Sequence, residues 1–96
     1  MNKFTPGPWY IDKTTVYALN PQNFNRFCAQ VQGAHTPIAE LEATARLIAA
    51  APDLLGALEE LSAAYSDALR DEFNITECPL IDKARAAIAR AKGESN

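Results

Sequence analysis

Five of the chain's eight aromatic residues, Trp9, Tyr10, Tyr17, Phe24 and Phe27, fall between positions 9 and 27, interleaved with Lys13 and Arg26. Flat π faces beside cations suit the stacking of a nucleobase and the neutralisation of a phosphate. The candidate ligand-binding residues are therefore Trp9, Tyr10, Lys13, Tyr17, Phe24 and Arg26. The same rings have a second use, in which Trp9 and Phe27 pack between a sheet and helices while Tyr10 and Tyr17 cover the opposite face. A strand period of two puts Trp9 and Tyr10 on different sides, so not all of these rings can be core.

Other chemistry finds little to rest on. A zinc site needs three or four ligands of compatible type, and the chain has one histidine, His35, and two distant cysteines, Cys28 and Cys78. No metal site and no cofactor is expected. Ser62 and Ser66 lack a base in sequence context, and no nucleophile elbow or Walker loop occurs. Acid catalysis by Glu59 with Glu60, or Asp67 with Asp71, needs a buried carboxyl, whereas these acids belong to the polar face of a helix. The expectation is a protein without catalytic residues, which is not an enzyme.

The elements that must position these residues follow from periodicity. Three runs rich in aromatic and β-branched residues, Trp9 to Asp12, Thr15 to Asn20 and Arg26 to Gln32, predict strands within about 9–32. Asp12, Lys13 and Thr14 make a tight first connection, and Pro21 to Asn25 a longer polar one, so the strands form an antiparallel meander. From Thr36 the period becomes helical, with Ile38, Leu41, Ala45 and Ile48 on one stripe. Thr36 is expected as N-cap and Pro37 as the first helical residue of a helix over about 37–51. A second helix over about 52–73 carries Leu54, Leu58, Leu61, Tyr65, Ala68 and Leu69 on one stripe. A third over about 80–92 carries Leu80, Ile81, Ala84, Ala87, Ile88 and Ala91, and ends at Gly93. The order βββααα, with strands and helices segregated, is an α+β fold.

Composition sets limits on this assembly. The 96 residues suit one domain, expected to span 1–96, and 18 of the apolar residues are alanine, so the core is modest and helices must approach through small faces. No run is long and apolar enough to span a membrane. Residues 1 to 35 carry a net +2, residues 36 to 75 a net −6 and residues 76 to 96 a net +1, which makes duplex nucleic acid an unexpected partner. The acidic surface of Glu40, Glu42, Glu59, Glu60, Asp67, Asp71 and Glu72 reads first as a solvated helix face and second as a surface for a basic partner. With no apolar leader before two cysteines fifty positions apart, a cytoplasmic protein with free thiols is expected.

Three stretches carry a family resemblance: Thr5-Pro6-Gly7-Pro8-Trp9, then Ala45-Arg46-Leu47-Ile48-Ala49-Ala50-Ala51-Pro52-Asp53-Leu54-Leu55, then the alanine-rich segment from Lys83 to Glu94. In this order they resemble a family of small proteins of tailed phages and prophages, marked by TPGPW near the N-terminus and an (N/T)ARLIAAAPDLL helix motif. The middle motif is specific and the alanine-rich tail is not. Thr44 stands where the family commonly has Asn, and the Pro21 to Arg26 connection, with Phe24 in it, is long; both bear on a binding surface. The resemblance implies a phage accessory product in the cytoplasm of an infected bacterium, of a kind that often interferes with host defence, and it carries over no catalytic residue. Combined with the aromatic and basic cluster, it leads to the expectation of an anti-defence binding protein. That protein would be a homo-oligomeric sponge for a nucleotide-type immune signal or, as the alternative, an inhibitor of a host defence complex or nuclease.

Overall fold

The computed structural model describes residues 3–93. Among them three strands, β1 (Tyr10–Asp12), β2 (Thr15–Leu19) and β3 (Asn25–Gln30), precede three helices, α1 (Ile38–Ala49), α2 (Ala51–Phe73) and α3 (Pro79–Lys92). The strands form one antiparallel sheet in the order β1-β2-β3, and the fold is α+β with strands and helices segregated along the chain. The chain is organised as two compact units, Met1–Asp53 and Leu54–Asn96, and α2 starts in the first and runs on through the second.

In the first unit the hairpin β1-β2 closes through two residues, because Asp12 sits opposite Thr15. Lys13 takes φ 59, the left-handed conformation that such short turns demand of a central residue. The β2-β3 connection is built around Asn20, whose Oδ1 accepts the N–H groups of Gln22 and Phe24, each at 3.0 Å, while Asn23 takes φ 68. An asparagine side chain standing in for a backbone acceptor is what makes this polar loop a defined turn. Register then shifts, since Ala18 pairs with Phe27 and Leu19 with Asn25, which leaves Arg26 as the extra residue of a β-bulge.

Alternation sorts the sheet into two faces. Val16 and Ala18 are fully buried on one face, where α1 packs on β1 and β2 and contributes the buried Ala45. Phe27 lies on this face, its ring centroid 4.9 Å from that of Trp9, and Trp9 meets Phe4 edge-on at 6.3 Å. The Trp9 indole N–H donates to the Thr5 carbonyl at 3.0 Å, so the polar corner of the ring is satisfied as burial requires. Two of the family-like stretches touch at Gly7, where a Cβ would stand 3.0 Å from Cβ of Pro52. The Thr5–Trp9 stretch and the Ala50–Asp53 corner thus meet closely, and a side chain at position 7 would have to press Pro52 aside.

Helix ends depart from expectation by one or two residues. Pro37, not Thr36, is the N-cap of α1, and no side chain caps it; the Thr36 hydroxyl instead turns back to the Ala34 carbonyl at 3.5 Å. The proline is extended, with ψ 142, and its carbonyl takes the N–H groups of Glu40 and Leu41. At the next corner Ala50 separates α1 from α2, and Pro52 occupies the first turn of α2, where its missing N–H leaves no bond unmade. Asn74 at φ 58 ends α2, and Ile75 N–H closes the end on the Leu69 carbonyl at 2.9 Å. Pro79, one residue before the expected start, is the first residue of α3, and Gly93 at φ 75 caps that helix as its position suggested.

The second unit is an antiparallel helical hairpin. Lys92 Nζ meets Glu59 Oε2 at 2.7 Å and the Arg85 guanidinium donates to Ser66 Oγ at 3.1 Å. A step of seven up α2 therefore matches a step of seven down α3, about two helical turns. In this unit Ser62 and Ile81 are the buried residues among those described, and the Ser62 hydroxyl is satisfied by the carbonyls of Leu58 and Glu59.

Candidate functional site

The sheet face turned away from α1 carries the site. Tyr10 on β1 and Tyr17 on β2 are register partners, and their rings lie 5.6 Å apart at a 33° tilt, forming a small aromatic plate. Cys28 on β3 is the next residue in the same row, opposite Tyr17. Beside the plate is a shallow depression of about 250 Å³ lined by Asp12, Thr15, Tyr17, Asn25 and Cys28. The plate is open to solvent, Tyr10 being 43% exposed. An aromatic surface next to a carboxylate, a hydroxyl, an amide and a thiol offers stacking on one side and both donors and acceptors on the other.

Of the six residues expected to bind a ligand, the structure brings Tyr10 and Tyr17 together. Trp9 belongs to the opposite face with Phe27 and Phe4. Lys13 sits in the β1-β2 turn, and Phe24 and Arg26 belong to the β2-β3 connection and bulge at the other end of β2. Five residues of strand separate these ends, roughly 15 Å, so the two cations flank the plate rather than converge on it. Phe24 projects from its loop with 70% of its surface exposed. The residues the cluster argument missed are Asp12, Thr15, Asn25 and Cys28. The signal for most of them was present, because alternation from Tyr10 and Tyr17 selects Asp12 and Thr15, and pairing selects Cys28. Asn25 is brought in by the bulge, which no pattern announces.

Both cysteines are free thiols, Cys28 exposed and Cys78 half-buried. Among the described residues no three His, Cys, Asp or Glu side chains converge as a metal site would require. Nor is any described helix long and apolar enough to cross a membrane. The acidic helix surface is partly self-neutralised: Asp67 and Asp71 share Arg70 at 2.8 and 3.5 Å, and Glu59 holds Lys92.

Residues 1–95 match the family described as Salmonella phage P22 protein Y8K6. The chain belongs to that family. The match takes in every strand and helix described above. No curated protein and no solved structure matches the chain.

Proposed function

We propose that this member of the phage Y8K6 family is a non-enzymatic accessory protein that counteracts host defence by binding, as a homo-oligomer that sequesters a small nucleotide-type signal. The observation that supports this reading is the Tyr10–Tyr17 plate beside the depression lined by Asp12, Thr15, Asn25 and Cys28. A base stacks on the tyrosines and presents its edge to the polar lining, while Lys13 and Arg26, at the two ends of β2, are the cations available to phosphates. Under this reading the ligand is held and released unchanged.

The test is native mass spectrometry of protein purified from bacterial lysate, followed by denaturation and identification of what is released, then titration with cyclic and ADP-ribose-derived nucleotides. Tyr10→Ala and Tyr17→Ala are expected to weaken binding by about ten-fold or more each, the range for losing one stacking partner. Trp9→Ala should act through stability instead. Conversion of the ligand to product would overturn the non-enzymatic reading, and an empty protein that ignores the whole panel would overturn sequestration.

A second reading, inhibition of a host defence complex or nuclease by direct contact, is favoured by Phe24, a large ring exposed at a loop tip, and by α2, which carries six acids against one base. Under it, Phe24→Ser or Glu60→Lys would relieve inhibition while tyrosine substitutions would not.

A further inference from the structure

The helical hairpin of the second unit leaves an apolar seam uncovered. On α2, Leu54, Leu58, Leu61, Tyr65 and Ala68 recur at alternating steps of four and three; on α3, Leu80, Ala84, Ala87 and Ala91 do the same. That is the 3.5-residue spacing of helices that pack in a bundle, and it runs along one edge of the wider stripes that also hold Leu69, Ile81 and Ile88. Between the two helices the seam opens as an apolar groove of about 350 Å³, with Leu61, Tyr65, Leu80 and Ala84 on its walls. The exposures are large for such residues: Leu54 54%, Leu61 68%, Tyr65 47% and Leu80 71%.

We infer that this seam is the docking surface for a second copy of the chain, two hairpins closing into an antiparallel four-helix bundle with α2 of each copy against α3 of the other. Three observations favour a second copy as the occupant. The four exposed side chains offer roughly 500 Å² of apolar surface, close to the apolar share of an 800 Å² patch per partner in a stable complex. The two helices differ in size along the seam, bulky on α2 and mostly alanine on α3, so each fits against the other and neither fits well against itself. They also differ in charge: α2 carries six acids and one base, α3 four bases and one acid. A two-fold axis along the bundle makes such a patch self-complementary, whereas α2 on α2 would oppose acid with acid.

The charges at the outer edges of the seam fit that arrangement. Glu60 and Asp71 flank it on α2, and Lys83 and Arg90 flank it on α3; Glu60, Lys83 and Arg90 make no ion pair among the described residues. The Glu59–Lys92 and Ser66–Arg85 matches fix heights along the hairpin, and a two-fold along its axis sets Glu60 level with Arg90 of the second copy. The inference rests on the oligomer of the reading above but not on its ligand, since it uses none of the residues of the aromatic plate.

The test is the mass in solution by light scattering and by native mass spectrometry across the micromolar range. Wild type is expected to be a dimer or a multiple of one. Leu61→Glu should weaken self-association by a hundred-fold or so, with circular dichroism confirming the helices. Two charge variants keep the test independent of folding: Glu60→Lys with Asp71→Lys, and Lys83→Glu with Arg90→Glu. Each alone should dissociate about ten-fold more readily, because like charges face each other at both copies of the contact. An equimolar mixture should recover a heterodimer, because every edge contact is again acid against base. A monomeric wild type, or charge variants that self-associate as tightly as wild type, overturns the inference. A dimer that carries and takes up no nucleotide upholds it while removing sequestration, and a monomer that binds nucleotide does the reverse.

Discussion

The two units solve the same problem with opposite means. In Met1–Asp53 a three-stranded sheet offers one face to α1, and Val16, Ala18 and Ala45 vanish from solvent there, with Trp9, Phe27 and Phe4 packed ring to ring alongside. In Leu54–Asn96 two helices carry enough leucine for a core, yet they enclose Ile81 and Ser62 while Leu54, Leu61 and Leu80 stay mostly in water. A sheet with a helix on it has an inside; a pair of helices has only a seam, and a seam buries little until something lies across it. Each unit therefore keeps a different kind of open surface: the face the sheet leaves uncovered, and the groove between the helices.

A charge placed where the first unit closes should have the largest effect. Val16→Asp buries a carboxylate with no partner, at a cost of about 4 kcal/mol or more, a large part of a small domain's stability. The expected outcome is loss of the near-ultraviolet circular dichroism and a red shift of the fluorescence of Trp9, the one tryptophan of the chain. A variant that keeps both signals would mean that the face under α1 is wetter than its burial indicates.

A smaller pair of substitutions sharpens the contrast within the second unit. Ile81→Ala removes a buried side chain and is expected to cost about 2–3 kcal/mol in urea unfolding at any protein concentration. Leu80→Ala, one position away and exposed, is expected to change stability by less than about 0.5 kcal/mol in dilute protein. Its effect should grow as protein concentration rises, because the seam counts only when a second copy covers it. Equal effects of the two substitutions, independent of concentration, would show that the hairpin buries both faces on its own.

Much of this was legible in the sequence, and the exceptions have physical reasons. The βββααα order, the helix stripes, Gly93 as a cap and the opposite-face arrangement of Trp9 and Tyr10 all follow from periodicity and from local backbone chemistry, which a few neighbouring residues decide. The N-cap of α1 did not follow, because Thr36 fits the pattern of a cap but the extended Pro37 starts the helix one residue later, and the hydroxyl finds Ala34 instead. The candidate site was half legible. Tyr10 and Tyr17 meet because strands β1 and β2 are joined by a two-residue turn that fixes register, and alternation does the rest. Lys13, Phe24 and Arg26 do not join them, since nearness in sequence says nothing about which end of a strand a loop occupies. Asn25 reached the depression through a bulge whose position depends on the Asn20 turn.

The smallest effect concerns the clamp between α2 and α3. Glu59 and Lys92 are about one-third and one-fifth exposed, at 2.7 Å, so the pair is screened but not fully solvated. Glu59→Gln keeps the shape and removes the charge, and in dilute protein at low salt it is expected to cost at most about 1 kcal/mol, fading as ionic strength approaches 1 M. The same substitution separates a lone hairpin from a bundle. If a second copy lies across the seam, water is withdrawn from its edges, and the cost of Glu59→Gln should become larger and less sensitive to salt in concentrated protein than in dilute. A cost that fades with salt identically at both concentrations would say that the clamp faces open solvent in every state of the chain, and that whatever covers the seam does not reach it.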